Sequence, residues 1–206
     1  ENWVDGVLYI GNYLMKARET VSGTYTVRNG TVAIIDNAFR ECYSLTGIVI
    51  PNSVTKIGNS AFEGASLMSA VIGNGVTYIG DNAFSSCYSL SHLTIGSSVV
   101  SIGYGAFSAC YELSVITLPD SVASIGKYAF YYTAYYNNEA NWIDGVLYIG
   151  KHLIEAKDDI SGDYVIKDGT TTIADDAFHN RYSLSGIVIP DSVTNIGSYA
   201  FAGCTS

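Results

Sequence analysis

The sequence predicts a solenoid, one continuous curved stack of short β-strand units, on three observations. The dipeptide Ala-Phe recurs, with Phe at positions 39, 62, 84, 107, 130, 178 and 201, giving intervals of 23, 22, 23, 23, 48 and 23 residues. A period this short, held this strictly, marks units that bury their apolar faces against one another rather than within themselves. Residues 2–64 also match residues 141–203 at a constant offset of 139, with more than half of the positions identical. Finally, the apolar residues alternate in extended runs, and no longer stretch carries the spacing of an amphipathic helix.

Each unit reads in the same order. Between Phe84 and Phe107 the repeated positions are Cys87, Tyr88, Leu90, Leu93, Ile95, Val99, Ile102, Gly103 and Ala106. In the preceding units Leu45, Ile48 and Ile50 alternate with Gly47 and Val49, the pattern of a strand with one buried face. Pro51-Asn52-Ser53 and Gly96-Ser97-Ser98 then supply turn chemistry. A second extended run, Val54 to Ile57, ends at Gly58, a glycine repeated at 80, 103, 126 and 197. That position calls for a positive φ or a corner too tight for a Cβ. Stacking the units pairs their strands into a parallel sheet on the concave face and aligns Phe over Phe.

The 48-residue interval is one unit with an insertion. Asn2-Trp3-Val4-Asp5-Gly6-Val7-Leu8-Tyr9-Ile10-Gly11 returns as Asn141-Trp142-Ile143-Asp144-Gly145-Val146-Leu147-Tyr148-Ile149-Gly150. Two β-hairpin insertions are expected, at about 4–17 and 143–156, with Gly11-Asn12 and Gly150-Lys151 as two-residue turns of type II′. The whole of 1–206 is expected to form one domain with little helix. The end at Ala202-Gly203-Cys204-Thr205-Ser206 falls where a further strand would begin, so a longer natural chain is expected.

Composition narrows the function. Of 206 residues 48% are hydrophobic and only 14% charged, enough to bury a large core. The formal charge of −9 disfavours nucleic acid and anionic lipid. No apolar run is long enough to span a membrane as a helix.

The chemistry-bearing residues follow the repeat. Cys42, Cys87, Cys110 and Cys204 each stand three residues after a repeat Phe, a pattern expected of a buried ladder of small side chains. A Cys87–Cys110 bridge is the rival reading. Tyr43, Tyr88, Tyr111 and Tyr182 follow directly and are expected to stack along one flank. Ala65 and Arg181 replace the cysteine in two units, where looser packing is expected. Asp158-Asp159 and Asp175-Asp176 lack the spacing of calcium ligands. Gly73-Asn74-Gly75 opens no helix and reads as a turn rather than a phosphate loop. No nucleophile–base pair, carboxylate pair, metal motif or cofactor motif appears, so binding rather than catalysis is expected, with no cofactor.

Two surfaces are candidates for binding. One is the outward row of strand positions, Val49, Val71, Thr94, Thr117 and Val188, with His92 beside it. The other is the tyrosine cluster Tyr128, Tyr131, Tyr132, Tyr135 and Tyr136, which lies where the repeat is interrupted and where regular packing does not call for aromatic residues.

The Ile-Gly-x-x-Ala-Phe-x-x-Cys-x-x-Leu core around Phe84 and Phe107, with the Asp5-to-Tyr9 and Asp144-to-Tyr148 segments, resembles the BspA-like (treponemal-type) leucine-rich repeat family. The resemblance covers essentially the whole chain. It implies a leucine-rich-repeat solenoid of right-handed form, and a bacterial or protist protein that is secreted or held at the cell surface. It also implies adhesion to an extracellular protein, a fibronectin- or fibrinogen-like host protein among the possibilities. A structural spacer that holds another domain away from the surface is the alternative.

Overall fold

A computed structural model describes residues 2–205; Glu1 and Ser206, the ends of the expected domain, lie outside the described residues. The chain forms a β-solenoid with two parallel ladders running along its length. The broad ladder pairs Gly23–Thr26, Leu45–Ile50, Ser69–Ile72 and His92–Thr94. The narrow ladder pairs the two-residue strands Ala33–Ile34, Lys56–Ile57, Tyr78–Ile79, Ser101–Ile102 and Ser124–Ile125. A second, shorter stack repeats the plan with Gly162–Val165 beside Leu184–Val188, and with Thr172–Ile173 beside Asn195–Ile196.

Between the ladders the core is a column of rings. Phe39, Phe62, Phe84, Phe107 and Phe130 are fully buried. Successive rings stack with centroids 5.0, 4.9, 5.2 and 5.6 Å apart. Phe178 and Phe201 continue the column at 5.3 Å in the second stack. The cysteines line a parallel column: the Cys87 and Cys110 thiols donate to the carbonyls of Phe62 and Phe84 at 3.1 and 3.3 Å. All four cysteines are free thiols, so the ladder is as expected and the Cys87–Cys110 bridge is absent.

Both expected hairpins form, and each gains a further strand that makes it a three-stranded antiparallel meander. Trp3–Val4, Val7–Ile10 and Tyr13–Ala17 form the first, and Trp142–Ile143, Val146–Ile149 and His152–Ala156 the second. The additional turn is Asp5-Gly6, with φ of 48° and 81°, and its copy Asp144-Gly145, with 50° and 80°. Two positive φ values in a two-residue turn are the mark of type I′, which Asp-Gly favours. At the other turn only Gly11 has a positive φ, 58°, as a Gly-first II′ turn requires. Each meander joins the narrow ladder through a parallel strand, Tyr13 opposite Ala33 and His152 opposite Thr172.

Of the two readings of Gly58, Gly80, Gly103, Gly126 and Gly197 the tight corner holds: none has a positive φ, and each marks close approach. A Cβ on Gly58 would lie 2.5 Å from the Asp36 nitrogen in the unit before. The left-handed residue falls two positions later, at Ser60, Asn82, Gly105, Tyr128 and Tyr199. The tyrosine flank stacks at Tyr88–Tyr111, 5.3 Å apart, and is interrupted by Ser66 on one side and by the insertion on the other. The broad ladder ends at His92–Thr94, so Thr117 is exposed but lies in no strand. There the Leu113 carbonyl accepts from Tyr135 N–H rather than from a neighbouring strand.

Candidate functional site

The broad-ladder row forms at Val49, Val71, Thr94 and Val188 but not at Thr117. Thr26, Val49, Val71 and Thr94 are direct partners across successive strands, and Val188 lies opposite Val165 in the second stack. Val71 is 42% exposed and Val188 58%. His92 is exposed, and its Nδ1 lies 2.9 Å from the Ser91 hydroxyl. This surface is smooth, uncharged and gently apolar.

The interruption builds a different site. After Phe130 the chain leaves the repeat through Tyr131 and Tyr132. Thr133, fully buried, then caps a single helical turn at Ala134–Asn137. Its hydroxyl donates to the Phe130 carbonyl and accepts from Tyr136 N–H, anchoring the turn to the last ring of the first stack. Across the gap stand the second meander and the first turn of the second stack. Together they enclose a cleft of roughly 580 Å³.

One wall of the cleft is aromatic. Tyr104 meets Tyr128 edge-on at 5.7 Å, Tyr128 meets Tyr131 at 5.0 Å, and Tyr131 meets Tyr136 edge-on at 5.1 Å. Tyr132 lies 4.0 Å from Tyr131, and Tyr136 packs edge-on against Trp142 at 5.2 Å. The hydrogen bond between Tyr131 and Tyr132, which holds the proton on Tyr131, together with some burial pushes the Tyr131 phenol up to about 12. The opposite wall is charged. Arg181 is buried, and its Nε and Nη2 both donate to the Ala156 carbonyl. Its Nη1 donates to the His179 carbonyl at 2.7 Å and pairs with Asp158 at 2.8 Å. Glu155 lies 3.7 Å from Arg181; burial raises its pKa, opposed by Arg181 and a hydrogen bond from Tyr136. Lys127 and His179 both approach Asp176, at 3.3 and 3.4 Å.

Of the five cluster tyrosines, Tyr128, Tyr131 and Tyr136 line the cleft and Tyr132 backs Tyr131 with 48% of its surface exposed. Tyr135 turns away. Its N–H donates to Leu113 and its hydroxyl to the Tyr148 carbonyl at 2.8 Å, a strut between first stack and second meander. Packing does require aromatics at 135 and 136, contrary to the sequence reading, since both rest against the core. Arg181 likewise does not loosen its unit. It fills the cysteine position with a clamp on the meander.

Tyr128 and Tyr132 share one further property. Both sit in the left-handed region, with φ of 61° and 58°. The corresponding positions of other units carry Asn37, Ser60, Asn82, Gly105, Asp176 and Tyr199, or Glu41, Gly64, Ser86, Ala109, Asn180 and Gly203. Any residue with a Cβ pays roughly 1–2 kcal/mol for this backbone; Asn and Asp offset it through local hydrogen bonds, and a bulky ring does not. The charged wall was not legible as a site. Its one sequence signal was Arg181 standing where the repeat places cysteine.

A model of the BspA type leucine rich repeat region matches residues 31–161 and 171–206, in six copies. Among solved structures, the leucine-rich repeat protein of Treponema pallidum is similar over 94% of this chain and 81% of its own, at 25% identity and a TM-score of 0.60. A leucine-rich repeat protein from Bacteroides ovatus matches 88% of this chain at 23% identity and a TM-score of 0.52. This chain spans 58% of that protein's length. No curated protein matches the sequence. On the family match, which covers most of its length, the chain belongs to the BspA-type leucine-rich repeat family.

Proposed function

We propose that this chain is a non-catalytic protein-binding module that acts outside the cell or at its surface, and that its contact site is the aromatic wall of the junction cleft. The observation that carries the reading is the backbone of Tyr128 and Tyr132. Strained residues persist where the surrounding structure holds them, and they concentrate at functional positions. Of the described units this one alone holds an aromatic ring at both positions; Tyr199 takes the first of them in another unit, and the rest carry Asn, Asp, Ser, Gly, Ala or Glu. The rings are left partly in solvent, and Tyr is enriched where proteins bind one another. An acidic rim of Asp158 and Asp176 around a basic centre would orient a partner carrying both signs of charge.

The test is binding of the chain to immobilised extracellular proteins, with fibronectin and fibrinogen among them. The double variant Tyr128→Asn and Tyr132→Ser, which takes the residues of Asn82 and Ser86, runs beside it. Saturable binding that the variant loses while it stays folded is the expected result. Binding that the variant keeps, but a Val49→Asp and Val71→Asp variant loses, moves the site to the broad ladder. Absence of binding to every protein supports the spacer alternative.

A further inference from the structure

The junction cleft does not inherit its charge from the repeat. At the constant offset of 139 residues, Lys16, Glu19, Asp36, Asn37, Arg40 and Cys42 become Glu155, Asp158, Asp175, Asp176, His179 and Arg181. The first set holds two cations and two carboxylates and is neutral. The second holds four carboxylates and one cation, a net charge of −3 with histidine neutral. All six of these second-copy residues line the cleft. Lys127, from the last unit of the first stack, is the other cation there, which leaves a surplus of two negative charges.

Both cations are held by the protein itself. Arg181 spends its Nε, Nη1 and Nη2 donors on the Ala156 and His179 carbonyls and on Asp158. The Lys127 Nζ donates to Asp176 at 3.3 Å and lies 4.9 Å from the centre of the Tyr128 ring. On the aromatic wall the rings of Tyr131 and Tyr136 meet at 74°, and the Tyr136 hydroxyl donates to Glu155. Ring faces carry the negative part of the aromatic quadrupole, so this corner and the surplus carboxylates attract the same kind of ligand, a cation.

The adjoining pocket shows such a corner filled by the chain's own residue. It shares Tyr136, Glu155, Asp158 and Arg181 with the cleft. There the Lys157 ammonium lies 5.3 Å from the Trp142 ring centre and pairs with Glu139. The corresponding residues of the first copy place Arg18 over Trp3 at 4.4 Å. Ammonium and guanidinium thus serve alike on these rings.

We infer that the cleft receives a basic side chain, arginine or lysine, displayed on a partner protein. Its cation sits between the Tyr131–Tyr136 corner and the carboxylates of Glu155, Asp158 and Asp176. This rests on the aromatic wall as the contact site and adds the chemistry that the wall selects. Of the two signs of charge that a partner can carry, the positive one enters the cleft, because Arg181 and Lys127 are already engaged. The net charge of −9 on the chain draws a basic surface toward it and repels an acidic one.

The probe is the peptide Gly-Gly-Arg-Gly-Gly, blocked at both ends and titrated into the isotope-labelled full chain while amide shifts are followed. The same peptide with citrulline in place of arginine is the neutral isostere. The arginine peptide should shift the amides of Tyr131, Tyr136 and Arg181 saturably, and bind about tenfold more tightly than the citrulline peptide. Added salt should weaken it. The double variant Asp158→Asn and Asp176→Asn, the second change taking the residue of Asn37, should lose about that tenfold preference while it melts as the parent does. Equal affinity for the two peptides, shifts confined to residues outside the cleft, or a preference that the double variant keeps overturns the inference. A chain that binds a protein through Tyr128 and Tyr132 but not the arginine peptide keeps the binding-module reading and loses this one. A chain that takes up the peptide but binds no protein keeps the basic-side-chain pocket and loses the module.

Discussion

The backbone N–H of Asp175 donates to the carbonyl of Ile125 at 2.9 Å, across a separation of fifty residues. Gly80, Gly103 and Gly126 donate to Ile57, Ile79 and Ile102 of the unit before, but Asp175 stands one position later in its unit; the residue at the glycine position, Ala174, donates instead to Leu153 of the second meander at 2.9 Å. Asp175 thus ties the second stack to the last narrow-ladder strand of the first, one residue out of register. Thr172 adds its hydroxyl to the Val122 carbonyl at 2.9 Å. The narrow ladder is broken at the junction, where Thr172–Ile173 pairs with the meander strand His152–Ala156, and the space between the two stacks is the cleft.

The ring column should govern stability locally. Phe107 is fully buried between Phe84 and Phe130. Phe107→Ala should cost about 3–5 kcal/mol, as large-to-small core changes do. Amide exchange should accelerate most in the two adjoining units, since each unit contacts chiefly its neighbours. Uniform loss of protection along the whole chain would contradict a one-dimensional stack.

Removing the Arg181 clamp should be costly. Arg181→Ala strips two donors from the Ala156 carbonyl and the cation from Glu155 and Asp158. Breaking one side of a mostly buried pair costs about 3–5 kcal/mol, and exposure of Asp158 places this case toward the lower end. Arg181→Cys, the residue that Cys42 supplies in the first copy, should recover part of the loss in urea unfolding. A cost below about 1 kcal/mol for Arg181→Ala, the range of an exposed pair, would show that Arg181 is not a clamp.

His152 gives the junction a pH dependence. It is almost completely buried, its Nδ1 has no partner among the described residues, and burial lowers its pKa from 6.5. Lys151 adds to the shift, whereas Asp120 and the Pro119 backbone oppose it. The folded state therefore favours the neutral ring. Its contribution is full above the unfolded-state value near 6.5 and is lost as pH falls from there toward the folded value. Stability measured from about pH 8 to about pH 6 should decline, and His152→Phe should flatten that decline. An identical slope in the variant would assign it to another group.

Thiol chemistry should separate the cysteines. Burial pushes the Cys42 thiol up to about 11 and that of Cys110 up to about 12, and raises Cys87 well above its ordinary value. Cys204 is only partly buried. Since the thiolate is the reactive form, an alkylating reagent should label Cys204 in the native protein and the other three only on unfolding. Native labelling of Cys87 at the rate of Cys204 would contradict the ladder.

What could be read from the sequence was what repeats. The Phe and Cys columns, the paired strands and the Gly11 turn follow from period and turn chemistry, which act locally or between adjacent units. The cleft was not readable, because it arises once, from three segments that meet only where Asp175 ties the second stack to the first. Arg181 looked like a defect in a cysteine column, since its partners Ala156 and Asp158 come from the meander. The tyrosine cluster was visible, but Tyr135 and Tyr136 could not be parted from Tyr128 and Tyr131 without knowing where the helical turn points. The left-handed positions escaped because only Gly105, Gly64 and Gly203 announce them; elsewhere they carry residues that sequence alone does not flag.

The measurement that tests the central claim most directly is the equilibrium stability of the Tyr128→Asn and Tyr132→Ser double variant against the parent chain. Should the two rings be held in strain for contact with a partner, their removal leaves the protein at least as stable, with a gain below the roughly 1–2 kcal/mol per residue of the left-handed penalty because Asn and Ser keep the Cβ that causes it. A variant clearly less stable than the parent would make the tyrosines part of the packing, and the cleft's aromatic wall would lose its claim as a binding surface.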